Sequence, residues 1–99
     1  MVERLTNDEK LAALKPLKGW KATESRDAIS RSFEFKNFNA AFAFMTQCAL
    51  RAEKQGHHPE WFNVFNHLDV TLTTHEAKGI TPRDIDMATF MNEKFKQFQ

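Results

Sequence analysis

Two segments of the chain alternate between apolar and polar residues with a period of two, the pattern of a β-strand with one buried face. In the first, residues 29–35, Ile29, Arg31, Phe33 and Phe35 alternate with two serines and a glutamate. In the second, residues 68–75, leucines and a valine alternate with aspartate, threonine and histidine. Two shorter segments alternate less regularly. The sequence therefore predicts four strands, at Trp20–Glu24, Ile29–Phe35, Trp61–Asn66 and Leu68–His75.

Between the second and third of these strands the period changes to that of an α-helix. Apolar residues from Asn37 to Gln55 recur three or four positions apart, and Gly56 supplies a stop signal at the end of the pattern. The predicted buried stripe of this middle helix consists of Phe38, Ala41, Phe42, Met45, Ala49 and Ala52.

Capping boxes mark the starts of two further helices. Thr6 with Glu9, and Thr81 with Asp84, have the spacing in which a hydroxyl and a carboxylate satisfy free backbone N–H groups of the first turn. Pro82 occupies the first position of the later helix, where proline is favoured. We predict a short first helix, which stops at the proline and glycine after it, and a longer terminal helix.

The terminal helix is apolar on more than one side, which burial against a single sheet does not require. Four of its residues exceed what one sheet face can cover, and a second buried contact in a homo-oligomer, a dimer or a tetramer, would accommodate them. These residues are Met87, Phe90, Met91 and Phe98.

Paired strands joined by short turns favour an antiparallel sheet. The predicted order is α-β-β-α-β-β-α, an α+β fold in which helices pack on one face of a four-stranded antiparallel sheet. The composition of the 99 residues does not change along the chain, so we expect one domain over residues 1–99.

Charge and hydropathy narrow the range of functions. The 14 Lys and Arg residues are interspersed with 13 Asp and Glu, so we expect no direct nucleic-acid binding. The longest apolar run, residues 40–45, falls far short of the roughly 20 residues that span a bilayer, and no secretory signal is visible. We therefore expect no membrane association. A single cysteine cannot form an intrachain disulfide, which favours the cytoplasm or the nucleus.

Three histidines fall where predicted elements end: His57 and His58 follow the middle helix, and His75 closes the fourth strand. Imidazole titrates near neutral pH, so grouped histidines can both donate and accept protons, which suits elimination or hydration chemistry. Two other interpretations stay open. The histidines could be exposed loop residues without a catalytic role, or three ligands of a zinc ion, although adjacent ligands are awkward to direct at one ion.

The remaining candidates are interpreted as structural. Cys48 lies at the edge of the middle helix's apolar stripe, where a thiol behaves as a small apolar side chain. His67 is expected in the turn between the third and fourth strands, facing solvent. Trp61 and Phe62 should face opposite sides of the third strand, so one joins the core while the other could flank a flat ring.

The segment after the middle helix carries a specific combination of motifs, in which a histidine pair precedes Pro-x-Trp and a later Thr-His follows an alternating strand. In these positions the chain resembles the pterin-4a-carbinolamine dehydratases, and the likeness extends from about Leu5 to Phe95. The motifs that carry it are Glu53–Val64, Thr73–His75, Gly79–Thr81 and Asp84.

The resemblance implies dehydration of 4a-hydroxytetrahydrobiopterin to quinonoid dihydrobiopterin, the recycling step that follows aromatic amino acid hydroxylases. It implies no cofactor and no metal ion. His57 and His75 match the general acids of the family, and His58 matches the position that holds the pterin and helps to deprotonate it. The substrate-binding positions that it implies are Glu53, Pro59, Trp61, Thr73 and Thr74, with Asp84 as a supporting partner behind them.

The resemblance also implies partners. Family members assemble as dimers and tetramers through helices, and relatives in animals act as dimerisation cofactors of a homeodomain transcription factor, hepatocyte nuclear factor. A non-catalytic interaction module of this kind is the alternative function. Two positions depart from the family pattern: Gly56 stands where relatives often carry Asp or Asn, and Phe65 where they often carry Tyr. The first departure removes a polar group beside the histidine pair.

Overall fold

The computed structural model describes residues 3–99, which form three α-helices and four strands. No helix in this part of the chain combines the length and the apolar character needed to cross a bilayer. The predicted order α-β-β-α-β-β-α is confirmed, with short 3₁₀ turns after the last strand and the last helix. The elements are α1 (Asn7–Leu14), β1 (Lys21–Ala22), β2 (Ile29–Glu34), α2 (Phe38–Gln55), β3 (Glu60–Val64), β4 (His67–Leu72) and α3 (Pro82–Phe95).

The four strands form one antiparallel sheet in the order β1-β2-β4-β3, which leaves β1 and β3 at the edges. β3 pairs with β4 from Glu60, opposite Thr71, to Val64, opposite His67. This register brings the start of β3 beside the end of β4. The connection that carries two candidate histidines is therefore close to the strand end that leads to the third, His75.

Local sequence explains where the helices begin and end. Both predicted capping boxes form, Thr6 with Glu9 at the start of α1 and Thr81 with Asp84 at the start of α3. α2 ends at Gly56, whose φ of 65° lies in the left-handed region that glycine adopts without strain. These caps fix the directions in which the chain enters and leaves the candidate site.

The buried side chains form one apolar cluster between the sheet and the helices α2 and α3. Phe33 of β2 links the sheet to both helices, because its ring centroid lies 5.0 Å from that of Phe44 in α2 and 5.0 Å from that of Phe95 in α3. On the opposite face of the sheet the side chains of β2 and β4 are polar, and Ser32 donates a hydrogen bond to Asp69 at 2.5 Å. Helices therefore pack on one face only, as predicted.

Three predictions about the strands are wrong. β4 ends at Leu72, so His75 lies in a 3₁₀ turn and not at the end of a strand. The cause is a pair of backbone hydrogen bonds between Thr74 and Gly79, which folds the chain back before the alternating pattern ends. His67, expected in a turn, is the first residue of β4. β1 is also shorter than predicted, with two residues in place of five.

The buried face of α2 differs from the predicted stripe. Phe38 and Phe42 are 46% and 54% exposed, and the helix buries Phe44 and Cys48 in their place. α2 carries apolar residues on two sides, so periodicity alone could not tell which side meets the sheet. The side that contains Phe44 faces the core, because the ring of Phe44 packs among the aromatic rings of β2 and α3.

α3 is covered more completely within one chain than predicted. Met87 and Met91 are fully buried, and Phe90 and Phe98 pack partly buried against the core. The segment before β1 supplies part of this cover through Trp20, which is hydrogen-bonded to α3. The apolar excess of α3 is therefore no argument for an oligomer. Large apolar side chains are exposed mainly on α2 and near β3, at Phe38, Phe42, Leu50, Phe62, Val64 and Phe65.

Candidate active site

His57 lies in the connection between α2 and β3 and is only 6% exposed. Its Nε2 atom lies 2.7 Å from Oδ1 of Asp84, a fully buried residue in the first turn of α3. The second oxygen, Oδ2, accepts the backbone N–H of Thr81 and the hydroxyl of Thr74, each at 2.9 Å. Asp84 is thus both the capping-box acid of α3 and the partner of His57. The start of the helix fixes the position of the imidazole ring.

The two threonines before His75 hold the strand end in place. The side chain of Thr74 is fully buried, and its hydroxyl lies 2.7 Å from that of Thr81 in addition to the bond with Asp84. Thr73 donates its hydroxyl hydrogen to the backbone carbonyl of Asp27 at 2.8 Å. In this structure Thr74 supports Asp84 from inside the protein, and contact of either threonine with a substrate stays a prediction.

His75 projects from the 3₁₀ turn after β4, with 72% of its side chain exposed. Its Nε2 atom lies 3.0 Å from Oε2 of Glu60, and both terminal nitrogens of Arg26 donate to the Glu60 carboxylate, at 2.7 and 2.8 Å. The Arg26 guanidinium, and then His75, lower the pKa of Glu60 to about 2. Glu60 is therefore ionised at neutral pH. Sequence reasoning assigned no role to Glu60 or Arg26.

His58 forms the most open pair of the site. Its side chain is 62% exposed, and Nε2 lies 3.1 Å from Oε1 of Glu53, which is 83% exposed. Glu53 belongs to the last turns of α2, so this contact spans the connection that leads into β3. Water screens such a pair, which therefore constrains the ring less than the buried contact of His57 does. Pro59 follows in the connection and is half-buried.

The two aromatic residues of β3 face opposite sides of the sheet, as predicted. Trp61 packs partly buried against the core, and Phe62 is 65% exposed on the outer face. A ring that lines the open face of the sheet is thus supplied by Phe62. Contact between Trp61 and a substrate stays a prediction.

The three candidate histidines share one feature: a carboxylate oxygen faces the Nε2 atom of each ring. The partners are Asp84 for His57, Glu53 for His58 and Glu60 for His75. A carboxylate accepts hydrogen bonds, so each Nε2 is assigned as the donor. Within residues 3–99 the Nδ1 atoms of these rings make no hydrogen bond.

The clefts beside these rings are separate in one chain. His57 lines a cleft of about 280 Å³ together with Gln55, Arg83 and Asp86. His75 lines another, of about 290 Å³, whose other lining residues come from the β1–β2 connection and the segment that follows β4. A larger cleft of about 510 Å³ beside α1 contains none of the three histidines. Residues 58–60 follow His57 directly in the chain and lead to Glu60, the partner of His75.

Other reactive groups of the described region are placed differently. Residues 3–99 contain no group of three or more His, Cys, Asp or Glu side chains arranged to hold a metal ion. Cys48 is fully buried, and burial raises the pKa of its thiol to about 12, so the thiol stays protonated and packs as predicted. His67 pairs with Asp69 at 3.0 Å on the outer face of the sheet.

Known proteins with a similar sequence and structure identify the family. The family model for pterin 4 alpha carbinolamine dehydratase matches residues 3–94. A Rhodopseudomonas palustris protein named "Putative pterin-4-alpha-carbinolamine dehydratase" is 58% identical over 92 residues, which cover 93% of this chain and 91% of that protein. A protein of the same name from Burkholderia pseudomallei is 52% identical over 93 residues, 94% of this chain and 92% of its own length.

Similarity of the fold identifies the same family. The crystal structure of a transcriptional coactivator/pterin dehydratase from Brucella melitensis superimposes with a TM-score of 0.91 at 54% sequence identity, over 93% of this chain and 98% of that one. At this identity and coverage the likeness extends beyond fold to sequence. The chain belongs to the pterin-4a-carbinolamine dehydratase family.

Proposed function

We propose that the protein converts 4a-hydroxytetrahydrobiopterin to quinonoid dihydrobiopterin and water by histidine acid-base catalysis, without a metal ion. Membership of the family supports a pterin dehydratase. One observation carries the mechanism: each of the three imidazoles, two in the connection between α2 and β3 and one in the turn after β4, is paired with a carboxylate through Nε2.

The reaction removes the 4a hydroxyl as water and a proton from a ring nitrogen of the pterin. Protonation of the hydroxyl turns a poor leaving group into water, and a base then takes the ring-nitrogen proton, so no net proton is consumed. His57 and His75 are the proposed acids. His58 is proposed to hold the pterin and to accept its proton. Glu53, Pro59, Trp61, Thr73 and Thr74 are the proposed substrate-binding residues.

The carboxylates orient the rings for this chemistry. A hydrogen bond from Nε2–H fixes the ring orientation and leaves Nδ1 as the exchanging atom. Asp84 provides this contact in a buried setting, whereas Glu53 provides it where water competes. His57 is accordingly the most firmly oriented of the three rings.

Stopped-flow mixing with synthetic 4a-hydroxytetrahydrobiopterin tests this proposal. We expect the protein to accelerate loss of the carbinolamine above the spontaneous rate, and the rate to persist after dialysis against a chelator. A rate that falls to the spontaneous value on chelation and returns with Zn²⁺ would assign the chemistry to a metal ion. An untreated protein that produces no acceleration would contradict the enzymatic proposal itself.

We also propose that the chain forms a homo-oligomer, through β3 and the outer face of α2. β3 is an edge strand with Phe62 and Val64 exposed on the open sheet face, and an unpaired antiparallel edge can pair with its own copy about a two-fold axis. On α2, the exposed rings of Phe38 and Phe42 lie 5.7 Å apart. Exposed apolar groups that cluster in this way are typical of interaction surfaces.

A second candidate function is the stabilisation of homeodomain transcription-factor dimers. It is supported by the exposed apolar face of α2 and by the words "transcriptional coactivator" in the name of the Brucella structure. The cytoplasm is the proposed location for the dehydratase, and the nucleus for this second role. A protein with only the second role would bind the dimerisation segment of hepatocyte nuclear factor in a titration and would leave the carbinolamine decay rate unchanged.

A further inference from the structure

Three separate parts of the chain meet at the exposed end of the site. Arg26 belongs to the connection between β1 and β2, Glu60 is the first residue of β3, and His75 follows β4. Arg26 and Glu60 are 34 positions apart in sequence, and the sheet brings them together. A contact of this kind depends on the complete fold and is absent from any isolated segment.

The contact between Arg26 and Glu60 uses both atoms of each group. Nη1 of Arg26 donates to Oε1 at 2.7 Å, and Nη2 donates to Oε2 at 2.8 Å. Such a two-point contact restricts rotation of the carboxylate, which a single contact does not. Oε2 also faces Nε2 of His75 at 3.0 Å. The guanidinium thus sets the direction from which the carboxylate meets the imidazole.

Glu60 can act only as an acceptor under neutral conditions. Its pKa is lowered to about 2, first by the hydrogen bond from Arg26 and then by that from His75. The proton of a neutral His75 is therefore expected on Nε2. An exposed neutral histidine without such a partner distributes its proton between both nitrogens. Glu76, the next residue, does not replace Glu60, because its carboxylate lies against Arg83 at 3.5 Å.

We infer that Glu60 and Arg26 are positioning residues of the dehydratase site: Glu60 accepts the Nε2 proton of His75 and presents Nδ1 to the substrate, and Arg26 fixes the carboxylate. The inference rests on the proposed function for its catalytic consequence. The tautomer of His75 is a property of the protein alone and does not depend on any substrate.

The first arm of the test measures this tautomer. Long-range ¹H–¹⁵N correlation spectra, recorded where imidazoles are neutral, separate the two tautomers of each ring. We expect the wild-type His75 signal to show a proton on Nε2, and the E60Q variant to show a mixture of both forms. E76Q is the matched control, because it removes the neighbouring carboxylate and should leave the signal unchanged. A mixture in the wild type, or an unchanged signal in E60Q, would overturn the assignment.

The second arm measures turnover by the same variants. E60Q should lower kcat roughly 10- to 100-fold with little change in KM, as removal of a group that orients a catalytic side chain does. R26M should lower kcat in the same direction, and R26K should not restore it, because an ammonium group cannot contact both oxygens. E76Q should match the wild type. A wild-type kcat in E60Q would overturn the positioning role, whereas a wild-type protein without activity would reject the proposed function and leave the first arm to decide the tautomer.

Discussion

Oδ1 of Asp84 lies 2.7 Å from Nε2 of His57, and the two side chains are 0% and 7% exposed. The same carboxylate caps α3 through the N–H of Thr81. The ring orientation of His57 is therefore coupled to the start of a helix that contributes much of the core. Changes at Asp84 should affect stability and chemistry together.

The first prediction concerns D84N. An amide replaces one acceptor oxygen by a donor, so either the N–H of Thr81 or the ring of His57 loses its acceptor in a buried setting. We expect the free energy of unfolding to fall by about 1–3 kcal/mol and turnover to fall as well. Urea unfolding and the dehydration assay measure the two effects. D8N changes a first-turn acid of α1 that is exposed, and a loss in D84N no larger than in D8N would contradict the coupling.

The second prediction concerns Gly79, which pairs with Thr74 in the turn that carries His75. A Cβ atom at this position would collide with the carboxylate of Asp27, which Lys10 holds by an ion pair at 2.6 Å. We expect G79A to lower the free energy of unfolding by roughly 1–3 kcal/mol, as crowding of a packed site does. Thermal or urea unfolding checks this expectation.

Gly56 provides the matched control for Gly79. A Cβ atom there meets no atom within 4 Å, and the left-handed backbone with φ of 65° is one that asparagine adopts more readily than most residues. G56N should therefore unfold close to the wild type while it restores a polar group beside the histidine pair. Equal stability of G79A and G56N would show that the turn adjusts freely.

The third prediction follows from the lowered pKa of Glu60. Its folded-state value of about 2 lies below the ordinary value of 4.5, so the unfolded chain binds this proton more readily. The stabilising contribution is complete above about pH 4.5 and is lost as the pH falls towards 2. The difference in unfolding free energy between wild type and E60Q should shrink over this range. Urea unfolding at several pH values would contradict the prediction if the difference stayed constant.

The fourth prediction concerns assembly. Light scattering of the wild type should give a mass that is a multiple of the 11.5 kDa chain. A charge on the edge strand in F62K should lower that mass, because a buried lysine without a partner opposes association. L11K is the control, since Leu11 is similarly exposed, at 67%, but lies on α1. A wild-type mass of 11.5 kDa at micromolar concentration would reject the oligomer.

Much of the fold could be predicted from the sequence, because local signals and tertiary packing agree. The alternation that begins at Leu68 and the capping box at Thr81 both predict elements that form. Prediction failed where tertiary contacts decide between locally equivalent options. α2 is apolar on two sides, and packing of Phe44 selects one; the bridge between Thr74 and Gly79 ends a strand that the pattern extends.

The residues of the candidate site could likewise be predicted only in part. Three histidines at element ends are visible in the sequence, and the resemblance supplied Asp84. No role was predicted for Arg26 or Glu60, although Glu60 lies in the motif Glu53–Val64, because no period or local spacing links a charged pair 34 positions apart. Only the pairing of β3 with β4 and the position of the β1–β2 connection bring them to His75.

Stopped-flow dehydration by wild type and by the double variant H57A/H75A tests the central claim most directly. We predict that the wild type accelerates loss of 4a-hydroxytetrahydrobiopterin, and that the double variant reacts at the spontaneous rate while its far-UV circular dichroism spectrum still shows the helices. Wild-type turnover in the double variant would contradict the account, because neither proposed acid would then be needed.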